Sequence, residues 1–505
     1  MAKSLMIMGT ASDVGKSVVV AALGRAFARA GVHVAPFKSQ NMSNNSAVCA
    51  GGGEIGRAQA MQAEACGRVP TLDMNPVLLK PETDTGCQVV IRGRARFQMG
   101  VHDYDRYRRE AWPEIVASYA RLAAEFELVL IEGAGGAAEI NLKDRDIVNW
   151  AVAELAGAPV VLVADIDKGG VFASLVGTVE LIRPSERDRV RGMLINKFRG
   201  DVRLLDGGLR FLEERTGIPV LGVLPHINGL RLPDEDAARL DYLAPAASVS
   251  SPVTIGIVHL PRISNYTDFE PLEHEPDVTV HYLTDPASAP ALDVLDVLIV
   301  PGTKSTVSDL SWLRRAGWET ALCRHLRGGG RVVGICGGFQ MLGRRILDPH
   351  GIESKIAESI ALGLLDFETV FERDKITAQV EGCELSSGLP IRGYEIHAGR
   401  AVRAGESEPL LRITKRDGAR LEELEGCKSA DGRVIGTSIH GLFDSAAFRR
   451  RFIDSVRSAK GLPPLTDAPA RDYREVRTAE YDRLADVLIA HCDFARIASI
   501  AGIRI

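Results

Sequence analysis

Short apolar runs recur along the first half of the chain, with segments of helical periodicity between them. Continuous runs of this kind are typical of strands that are covered on both faces of a parallel sheet. The predicted strands are Leu5–Met8, Leu128–Ile131, Val160–Ala164, Met193–Ile195 and Val220–Leu224. A helix is predicted from Lys16 to about Ala30, directly after the first strand and a glycine-containing loop. This alternation predicts a doubly wound α/β domain over residues 1–245.

A segment of small residues between Pro245 and Pro252 interrupts the pattern and predicts a linker over residues 246–252. Strands of the buried type resume after it, at Val253–Val258, Val294–Val300, Arg331–Ile335 and Gly432–Ile439. They predict a second doubly wound α/β domain over residues 253–460. The remaining residues, 461–505, are predicted to form a C-terminal helical extension, because apolar residues recur there at helical spacing. These residues are Tyr481, Leu484, Val487 and Leu488.

Composition and charge narrow the possible classes of protein. The chain has 505 residues, 46% of them hydrophobic, and a formal net charge of −5. No basic field argues for a nucleic-acid partner, and no apolar run is long enough for a membrane span. The eight cysteines form no C-x-x-C pair, which fits neither a disulfide framework nor a zinc site. We therefore expect a cytoplasmic protein with no membrane and no nucleic-acid partner.

A candidate phosphate-binding loop follows the first predicted strand and opens the first predicted helix. Its sequence is Gly-Thr-Ala-Ser-Asp-Val-Gly-Lys-Ser, from Gly9 to Ser17. Five residues separate the two glycines, whereas the standard pattern has four. Backbone N–H groups of such a loop can cradle phosphates, a lysine can neutralise them and a serine hydroxyl can bind Mg²⁺. The candidate nucleotide-binding residues here are Thr10, Asp13, Gly15, Lys16 and Ser17.

Carboxylates and amides at the ends of later strands are candidates for the same site. Glu132 follows an apolar strand and is the favoured partner of Ser17 in a Mg²⁺ site, although Asp165 and Asp167 end the next strand and compete for that role. Asn196 begins a candidate base-recognition loop. No aspartate stands two residues beyond Lys197, which favours ATP over a guanine nucleotide.

A candidate thiol nucleophile lies in the second predicted domain. Cys336 stands between a β-branched strand and two glycines, at a turn where a helix N-terminus would favour the thiolate. His440 ends a later strand and is the candidate base, so that the pair could attack a carboxamide and release ammonia. Backbone N–H groups near Gly338, with a second donor from the loop at Gly302, are candidates for an oxyanion hole.

These motifs resemble known families. Gly-Ile-Cys-Gly-Gly-Phe-Gln with a later histidine resembles the class I glutamine amidotransferase domain, and the N-terminal loop with Glu-Gly-Ala-Gly-Gly resembles the dethiobiotin synthetase group of ATP enzymes. Their order in one chain resembles the cobyrinic acid amidating enzymes. Longer strings narrow the resemblance to the cobyric acid synthase family. These strings span residues 36–45, 75–81, 139–146, 164–172 and 261–265.

The resemblance implies an ATP- and Mg²⁺-dependent amide synthetase domain followed by a glutaminase domain. The implied reaction amidates the b, d, e and g carboxylates of adenosylcobyrinic acid a,c-diamide, a corrinoid, through an acyl phosphate and ammonia from the Cys336 site. It also implies that Lys38 contacts phosphate, as a lysine does in the dethiobiotin synthetase group. The strings contain the candidate corrinoid-binding residues Gln40, Asn41, Asn44, Lys80, Asn141 and Asp146.

The chain departs from the class I pattern beside the candidate base. Many class I glutaminases have a glutamate two residues after the histidine, whereas this chain has Leu442. Asp444 or Glu395 could orient the histidine instead, so we expect a Cys–His dyad or an atypical triad. Two other readings remain open. One is an enzyme of the same class, either a cobyrinic acid a,c-diamide synthase or an ATP-dependent amidotransferase for another acid such as a cell-wall precursor. The other is a partitioning-type regulatory ATPase, which would need neither Cys336 nor His440.

Overall fold

A computed structural model describes residues 2–83, 86–100, 103–232, 251–287, 292–405, 407–465 and 471–505. The chain forms two compact units, and neither is continuous in sequence. The first combines residues 1–43, 55–233 and 476–505, and the second combines residues 44–54 and 234–475. The domain boundaries stated above stay predictions, and most of the expected linker, residues 246–250, lies outside the described residues.

The described residues before 233 form twelve strands and seven helices. The strands are β1 (Lys3–Gly9), β2 (Val34–Phe37), β3 (Gln40–Met42), β4 (Ser46–Val48), β5 (Glu54–Gly56), β6 (Val77–Thr83), β7 (Gly86–Ile91), β8 (Arg94–Met99), β9 (Leu128–Gly136), β10 (Val160–Asp165), β11 (Val190–Phe198) and β12 (Val220–Pro225). The helices are α1 (Lys16–Arg29), α2 (Arg57–Ala65), α3 (Tyr104–Glu125), α4 (Trp150–Leu155), α5 (Val171–Leu181), α6 (Pro184–Arg187) and α7 (Asp206–Thr216), with 3-10 turns at Ile140–Arg145 and Val202–Leu205.

The first unit is built on a six-stranded parallel sheet in the order β12-β11-β10-β1-β9-β2. The phosphate-loop strand β1 is central, between β9 and β10. Because all strands are parallel, their carboxyl ends meet at one edge, and this is where open α/β sheets bind ligands. A smaller sheet in the order β3-β6-β7-β8 contains parts of the strings 36–45 and 75–81, on β3 and β6.

The C-terminal residues complete the core of the first unit. Helices α13 (Tyr473–His491) and α14 (Phe494–Ile500) form over the predicted extension. Tyr481, Leu484 and Leu488 are fully buried in the apolar cluster that also contains the inner face of α1. The end of the chain is therefore part of the first unit's core.

In the part of the chain after residue 250 that the structure describes, there are thirteen strands and seven helices. The strands are β13 (Val253–Val258), β14 (Val278–Leu283), β15 (Val297–Val300), β16 (Arg331–Ile335), β17 (Arg345–Leu347), β18 (Glu358–Ile360), β19 (Phe367–Glu384), β20 (Pro390–Arg403), β21 (Leu411–Arg416), β22 (Ala419–Glu425), β23 (Cys427–Lys428), β24 (Val434–Thr437) and β25 (Ile439–His440). The helices before α13 are α8 (Glu270–Glu273), α9 (Thr306–Arg315), α10 (Trp318–Arg327), α11 (Gly337–Leu342) and α12 (Ala446–Ala459), with 3-10 turns at Tyr266–Phe269, Leu292–Val294 and Leu442–Asp444.

The second unit contains a six-stranded sheet in the order β14-β13-β15-β16-β24-β23, parallel except for its edge strand β23. Apolar clusters cover both faces of this sheet. A second, largely antiparallel sheet runs β18-β17-β19-β20-β25, with β21 and β22 attached to β19. The mixed α/β class predicted from the sequence is confirmed.

Two predicted strands are corrected in detail. The strand expected at Val294–Val300 begins at Val297, because Leu292–Val294 forms a 3-10 turn and exposes Val294. The strand expected at Gly432–Ile439 is divided between β24 in the parallel sheet and β25 in the antiparallel sheet. His440 thereby pairs with Tyr394 of β20. Within the described residues, no helix is long and apolar enough to cross a membrane.

Candidate functional site

The phosphate loop closes on a left-handed glycine. Gly15 has φ 95° and ψ 23° and immediately precedes α1. A Cβ there would lie 2.2 Å from Nδ2 of Asn196, so both the backbone conformation and the space require glycine. The Lys16 ammonium donates to the carbonyls of Ala11 (3.0 Å) and Gly135 (2.9 Å). The loop therefore holds a buried cation at the edge of the sheet where phosphate would bind.

Glu132 is the buried anion of this site. Its Oε1 accepts hydrogen bonds from the Ser17 hydroxyl (2.8 Å) and the Lys38 ammonium (2.9 Å). Its Oε2 accepts a hydrogen bond from Gln62 Nε2 on α2. A hydroxyl and a carboxylate oxygen side by side are the hard ligands that Mg²⁺ takes together with water and substrate phosphates, so these residues fit that ion.

The two competing aspartates have other partners. Asp165 Oδ2 accepts from the Lys197 ammonium at 2.8 Å, and Asp167 forms an ion pair with Arg199 at 2.9 Å. Both pairs join carboxylates at the end of β10 and just beyond it to basic side chains at the end of β11 and just beyond it. The geometry thus favours Glu132 as the acid that accompanies the serine hydroxyl.

Asn196 and Lys197 brace the phosphate loop in this structure. Asn196 Nδ2 donates to the carbonyl of Val14 at 2.9 Å, and Lys197 Nζ donates to the carbonyl of Asp13 at 2.7 Å. Asp13 itself is exposed, and Thr10 is half-buried. A base-contacting role for Asn196 stays a prediction, since its side-chain amide already stabilises the loop.

Three of the candidate corrinoid residues lie on the small sheet of the first unit. Gln40 Oε1 accepts a hydrogen bond from the hydroxyl of Tyr107. Asn41 Nδ2 donates to Gln59 Oε1 at 2.9 Å, and Lys80 is buried on β6. The first two side chains are therefore held by helices α3 and α2.

The other three candidate corrinoid-binding residues lie on separate segments of the chain. Asn141 is exposed on the 3-10 turn Ile140–Arg145. Asp146 caps the start of α4, since its carboxylate accepts from the backbone N–H groups of Val148, Asn149 and Ala151. Asn44 belongs to the second unit. These contacts do not test a corrinoid-binding role for the six candidates, so that role stays a prediction.

In the second unit, Cys336 occupies a sharp strand-to-helix turn. It follows the last residue of β16, precedes Gly337 of α11, and has φ 49° and ψ −110°. Its N–H donates to the carbonyl of Thr437 at 2.8 Å. A non-glycine residue in this conformation is strained, and strain of this kind clusters at functional sites. The turn is the feature expected of a presented nucleophile.

His440 is oriented by Asp268, a residue that the sequence did not single out. Nδ1 of His440 lies 2.6 Å from Oδ2 of Asp268, and Oδ1 of the same carboxylate accepts from the N–H of Gly441 at 3.0 Å. Tyr394 stacks on the imidazole with ring centroids 5.1 Å apart. Leu442 points into the apolar core, so the position of the usual class I glutamate is not part of the site. The arrangement has the form of an atypical Cys336–His440–Asp268 triad, and its catalytic role stays a prediction.

The local electrostatics favour a thiolate–imidazolium pair. Burial opposes ionisation of the Cys336 thiol, but the charge and hydrogen bond of His440, the charge of His397 and the N–H of Gly337 together lower its pKa. Burial likewise disfavours charged His440, but the Asp268 carboxylate and the thiolate raise the pKa of the imidazole well above its usual range. Such a pair is the activated form of a cysteine nucleophile.

The two acids considered from the sequence lie differently. Glu395 forms an ion pair with Arg416 at 2.9 Å and lies 3.4 Å from Nε2 of His397. Burial raises its pKa, but His397 and Arg416 outweigh that effect and lower it. Glu395 therefore belongs to a neighbouring ion cluster. Asp444 donates its backbone N–H to the carbonyl of Gly441, within the turn that follows the histidine.

The candidate oxyanion-hole glycines sit at close backbone approaches. A Cβ on Gly338 would lie 1.9 Å from the carbonyl oxygen of Val300, so α11 packs directly on the end of β15. A Cβ on Gly302 would lie 3.2 Å from Cε1 of His440. Gly302 thus adjoins the catalytic pair, and both oxyanion assignments stay predictions.

Sequence reasoning missed three side chains that touch these sites. Gln62 lies on α2, 70 residues before the glutamate it contacts, and Asp268 lies 172 residues before His440. Asn265, near Nε2 of His440, ends the string 261–265 that carried the family resemblance. That string was the available signal, because polar residues in a loop after a strand often serve a site.

Known families match both halves of the chain. Residues 5–237 match a family described as the CobQ/CobB/MinD/ParA nucleotide binding domain, and residues 254–448 match the CobB/CobQ-like glutamine amidotransferase domain.

Several curated proteins are similar to this chain over its whole length. Proteins named cobyric acid synthase from Syntrophobacter fumaroxidans and Chlorobium phaeobacteroides are each 45% identical to it, and one from Sorangium cellulosum is 48% identical. Each of the three alignments covers 99% of this chain and 99% of the relative.

Proposed function

The chain belongs to the cobyric acid synthase family, and on this basis we propose that it amidates the b, d, e and g carboxylates of adenosylcobyrinic acid a,c-diamide to give adenosylcobyric acid. The coarser activity follows from the family: the chain is an ATP-dependent glutamine amidotransferase of cobalamin biosynthesis. The four positions and the chemistry of each step are the parts proposed here.

The observation that carries the proposal is the pairing of two sites in one chain. One is a phosphate loop with a buried glutamate, and the other is a Cys–His–Asp triad at a strained turn. The first site suits phosphoryl transfer to a carboxylate, and the second suits release of ammonia from a carboxamide. Together they supply both reactants of an ATP-driven amidation.

In the synthetase half, a corrinoid carboxylate attacks the γ-phosphorus of ATP. The new carboxylate–phosphorus bond forms as the bond to ADP breaks, which gives an acyl phosphate and ADP. Lys16 and Lys38 bring positive charge to the transferring group. Ser17 and Glu132 would hold Mg²⁺, which neutralises phosphate charge when bound.

In the glutaminase half, the Cys336 thiolate attacks the side-chain carboxamide of glutamine. The His440 imidazolium then protonates the departing nitrogen, the carbon–nitrogen bond breaks, and ammonia leaves a γ-glutamyl thioester. Neutral His440 next removes a proton from water, which hydrolyses the thioester to glutamate. Asp268 holds the Nδ1 proton throughout, so that Nε2 faces the reaction. Ammonia displaces phosphate from the acyl phosphate and completes the amide.

Mass spectrometry of the corrinoid tests the proposal directly. The full-length protein is incubated with the a,c-diamide, ATP, Mg²⁺ and glutamine, and the products are followed over time. We expect a stepwise loss of about one dalton per amidation, with one ADP formed each time, because an amide nitrogen replaces a carboxyl oxygen. Unchanged a,c-diamide without ADP formation would contradict the proposal. Amidation of cobyrinic acid only at its a and c positions would instead identify a diamide synthase.

A further inference from the structure

Residues 44–54 are an excursion of the N-terminal half of the sequence into the second unit. They belong to that compact unit, whereas residues 43 and 55 on either side belong to the first. We refer to residues 44–54 as the excursion segment. Its central strand β4 is completely buried. The glutaminase unit therefore contains sequence that precedes its main part by about two hundred residues.

The excursion segment is anchored on the two long strands of the antiparallel sheet. Gln379 Nε2 on β19 donates to the carbonyl of Val48 at 2.5 Å. The side chain of Val48 packs with Tyr394 and Ile396 of β20 in a small apolar cluster. Ile396 presents its carbonyl 3.7 Å from the Cys336 sulfur. The apolar cluster thus adjoins Cys336 through Ile396.

A hydrogen-bonded path leads from the excursion segment to the catalytic base. The N–H of Ser46 donates to Oδ1 of Asn265 at 2.8 Å, and Nδ2 of Asn265 lies 3.4 Å from Nε2 of His440. All three residues are buried. Asn265 has φ 52°, in the left-handed region that asparagine tolerates better than most residues, and this backbone aims its amide at the histidine.

The polarity of this path is determined by chemistry. A backbone N–H can only donate, so the carbonyl end of the Asn265 amide must face Ser46 and the NH₂ end must face His440. Nε2 of neutral His440 is an acceptor, because Nδ1 carries the proton bonded to Asp268. An NH₂ group beside Nε2 therefore favours the neutral ring over the imidazolium.

We propose that the excursion segment completes the glutaminase site: the N–H of Ser46 fixes the Asn265 amide so that it favours release of the Nε2 proton of His440 to departing ammonia. Asn265 is a positioning residue, since it acts on the reaction through His440. If the segment were displaced, the amide could rotate and present its carbonyl to Nε2–H, which would retain the proton. Glutamine hydrolysis consequently depends on sequence from both halves of the chain. This inference deepens the glutaminase step of the proposed function and rests on it.

Four variants of the full-length chain test the inference. Asn265→Gly removes the amide and suits the left-handed backbone, whereas Asn265→Asp places an acceptor beside Nε2. Ser46→Pro removes the N–H that orients the amide. Ala50→Pro is the matched control: it puts a proline in the same segment, at the second position of the turn that the N–H of Gly52 closes on the carbonyl of Cys49.

We expect kcat for glutamine hydrolysis to fall about 3- to 10-fold in Asn265→Gly and Ser46→Pro, the range of one net hydrogen bond, with KM for glutamine unchanged. In Asn265→Asp, kcat should fall further and the alkaline limb of the pH profile should move to higher pH, because a carboxylate beside Nε2 stabilises the imidazolium. The other groups that face His440, namely Asp268, Cys336 and Tyr394, are unchanged in every variant. Ala50→Pro should hydrolyse glutamine as the unaltered protein does.

The inference is overturned if Asn265→Gly keeps the unaltered kcat and pH profile, or if the two proline variants lose activity equally while Asn265→Gly loses none. Should Ser46→Pro fail to fold, the two Asn265 variants still decide the matter. Glutamine hydrolysis and alkylation of Cys336 by iodoacetamide require neither ATP nor corrinoid. A failure of the corrinoid reaction would therefore contradict the proposed function, but the glutamine-hydrolysis assay would still test this inference.

Discussion

Asp268 accepts the Nδ1–H of His440 at 2.6 Å, across 172 residues of chain, whereas the residue two positions after this histidine is Leu442. The carboxylate is buried and also accepts the N–H of Gly441. Both the tautomer and the orientation of the imidazole thus depend on one side chain from a 3-10 turn near the start of the second unit.

Asp268→Asn should lower kcat for glutamine hydrolysis strongly. The corresponding loss in a serine protease triad is about 10⁴-fold, because the amide favours the wrong tautomer. Ammonia release from glutamine measures the effect. Asp444→Asn, which alters the other aspartate near the histidine, should have a much smaller effect. Equal losses in the two variants would mean that Asp268 has no special role.

Cys336→Ser should abolish glutamine-dependent amidation and leave ammonia-dependent amidation intact. The thiolate is needed only to release ammonia, and the phosphate loop belongs to the other unit. Lys16→Ala should abolish both reactions, since it removes the ammonium group that would stabilise the negative charge of the transferring phosphoryl group. Mass spectrometry of the corrinoid product, with either glutamine or an ammonium salt as the nitrogen source, distinguishes the two variants. Loss of the ammonia reaction in Cys336→Ser would contradict this division of labour.

Glutamine hydrolysis should show a broad bell-shaped pH profile. The Cys336 pKa is lowered, so the thiolate is present above that value and activity rises through an acid limb below the usual thiol range. The His440 pKa is raised, so the imidazolium persists to unusually high pH, and activity is lost as pH rises through that value. Peptide mapping after iodoacetamide treatment should show Cys336 alkylated at lower pH than the exposed Cys323. Parallel profiles for the two thiols would refute the ion pair.

Glu132→Gln should suppress ATP-dependent amidation with either nitrogen source and raise the Mg²⁺ concentration needed for half-maximal rate. The substitution removes the carboxylate that accepts hydrogen bonds from Ser17 and Lys38 and would bind Mg²⁺. Asp167→Asn alters an exposed partner of Arg199 and serves as the control, with a near-normal Mg²⁺ dependence. A Mg²⁺ dependence shifted in the control but not in Glu132→Gln would assign the metal to the loop after β10.

Leu488→Ala should destabilise the first unit by about 2–5 kcal/mol, because a fully buried leucine side chain leaves a cavity in the cluster shared with α1. Ile489→Ala, the next residue on the same helix, alters a side chain that is 43% exposed and should cost little. Urea unfolding followed by circular dichroism compares the two variants. Equal midpoints would show that the C-terminal helices do not stabilise the core.

Local motifs were readable from the sequence for a physical reason. A phosphate loop needs consecutive residues, so Gly15, Lys16 and Ser17 identify themselves together with the strand and helix around them. Cys336 is equally local, because the strained turn depends on the residues on either side of it. The α/β class followed from the buried strands, whose apolar runs report that both sheet faces are covered.

Contacts between residues that are distant in sequence could not be predicted from the sequence. Nothing near His440 in the sequence indicates that Asp268 contacts it, and Glu395 and Asp444 were the acids expected there instead. Nothing near Ser46 indicates that its N–H serves Asn265, 219 residues away. Likewise, the helical spacing of Tyr481, Leu484 and Leu488 predicted a helix, but only packing made it part of the first unit's core.

The residues along the chain were thus enough to predict a phosphate loop with an acidic partner, and a thiol nucleophile at a strand-to-helix turn. The side chains that orient these groups, Asp268 for His440 and Gln62 for Glu132, came to light only in the folded chain. The reason is that a nucleophile or a phosphate loop is made by backbone geometry over a few consecutive residues. Orientation is made by hydrogen bonds between side chains that folding brings together across 70 to 172 residues of chain.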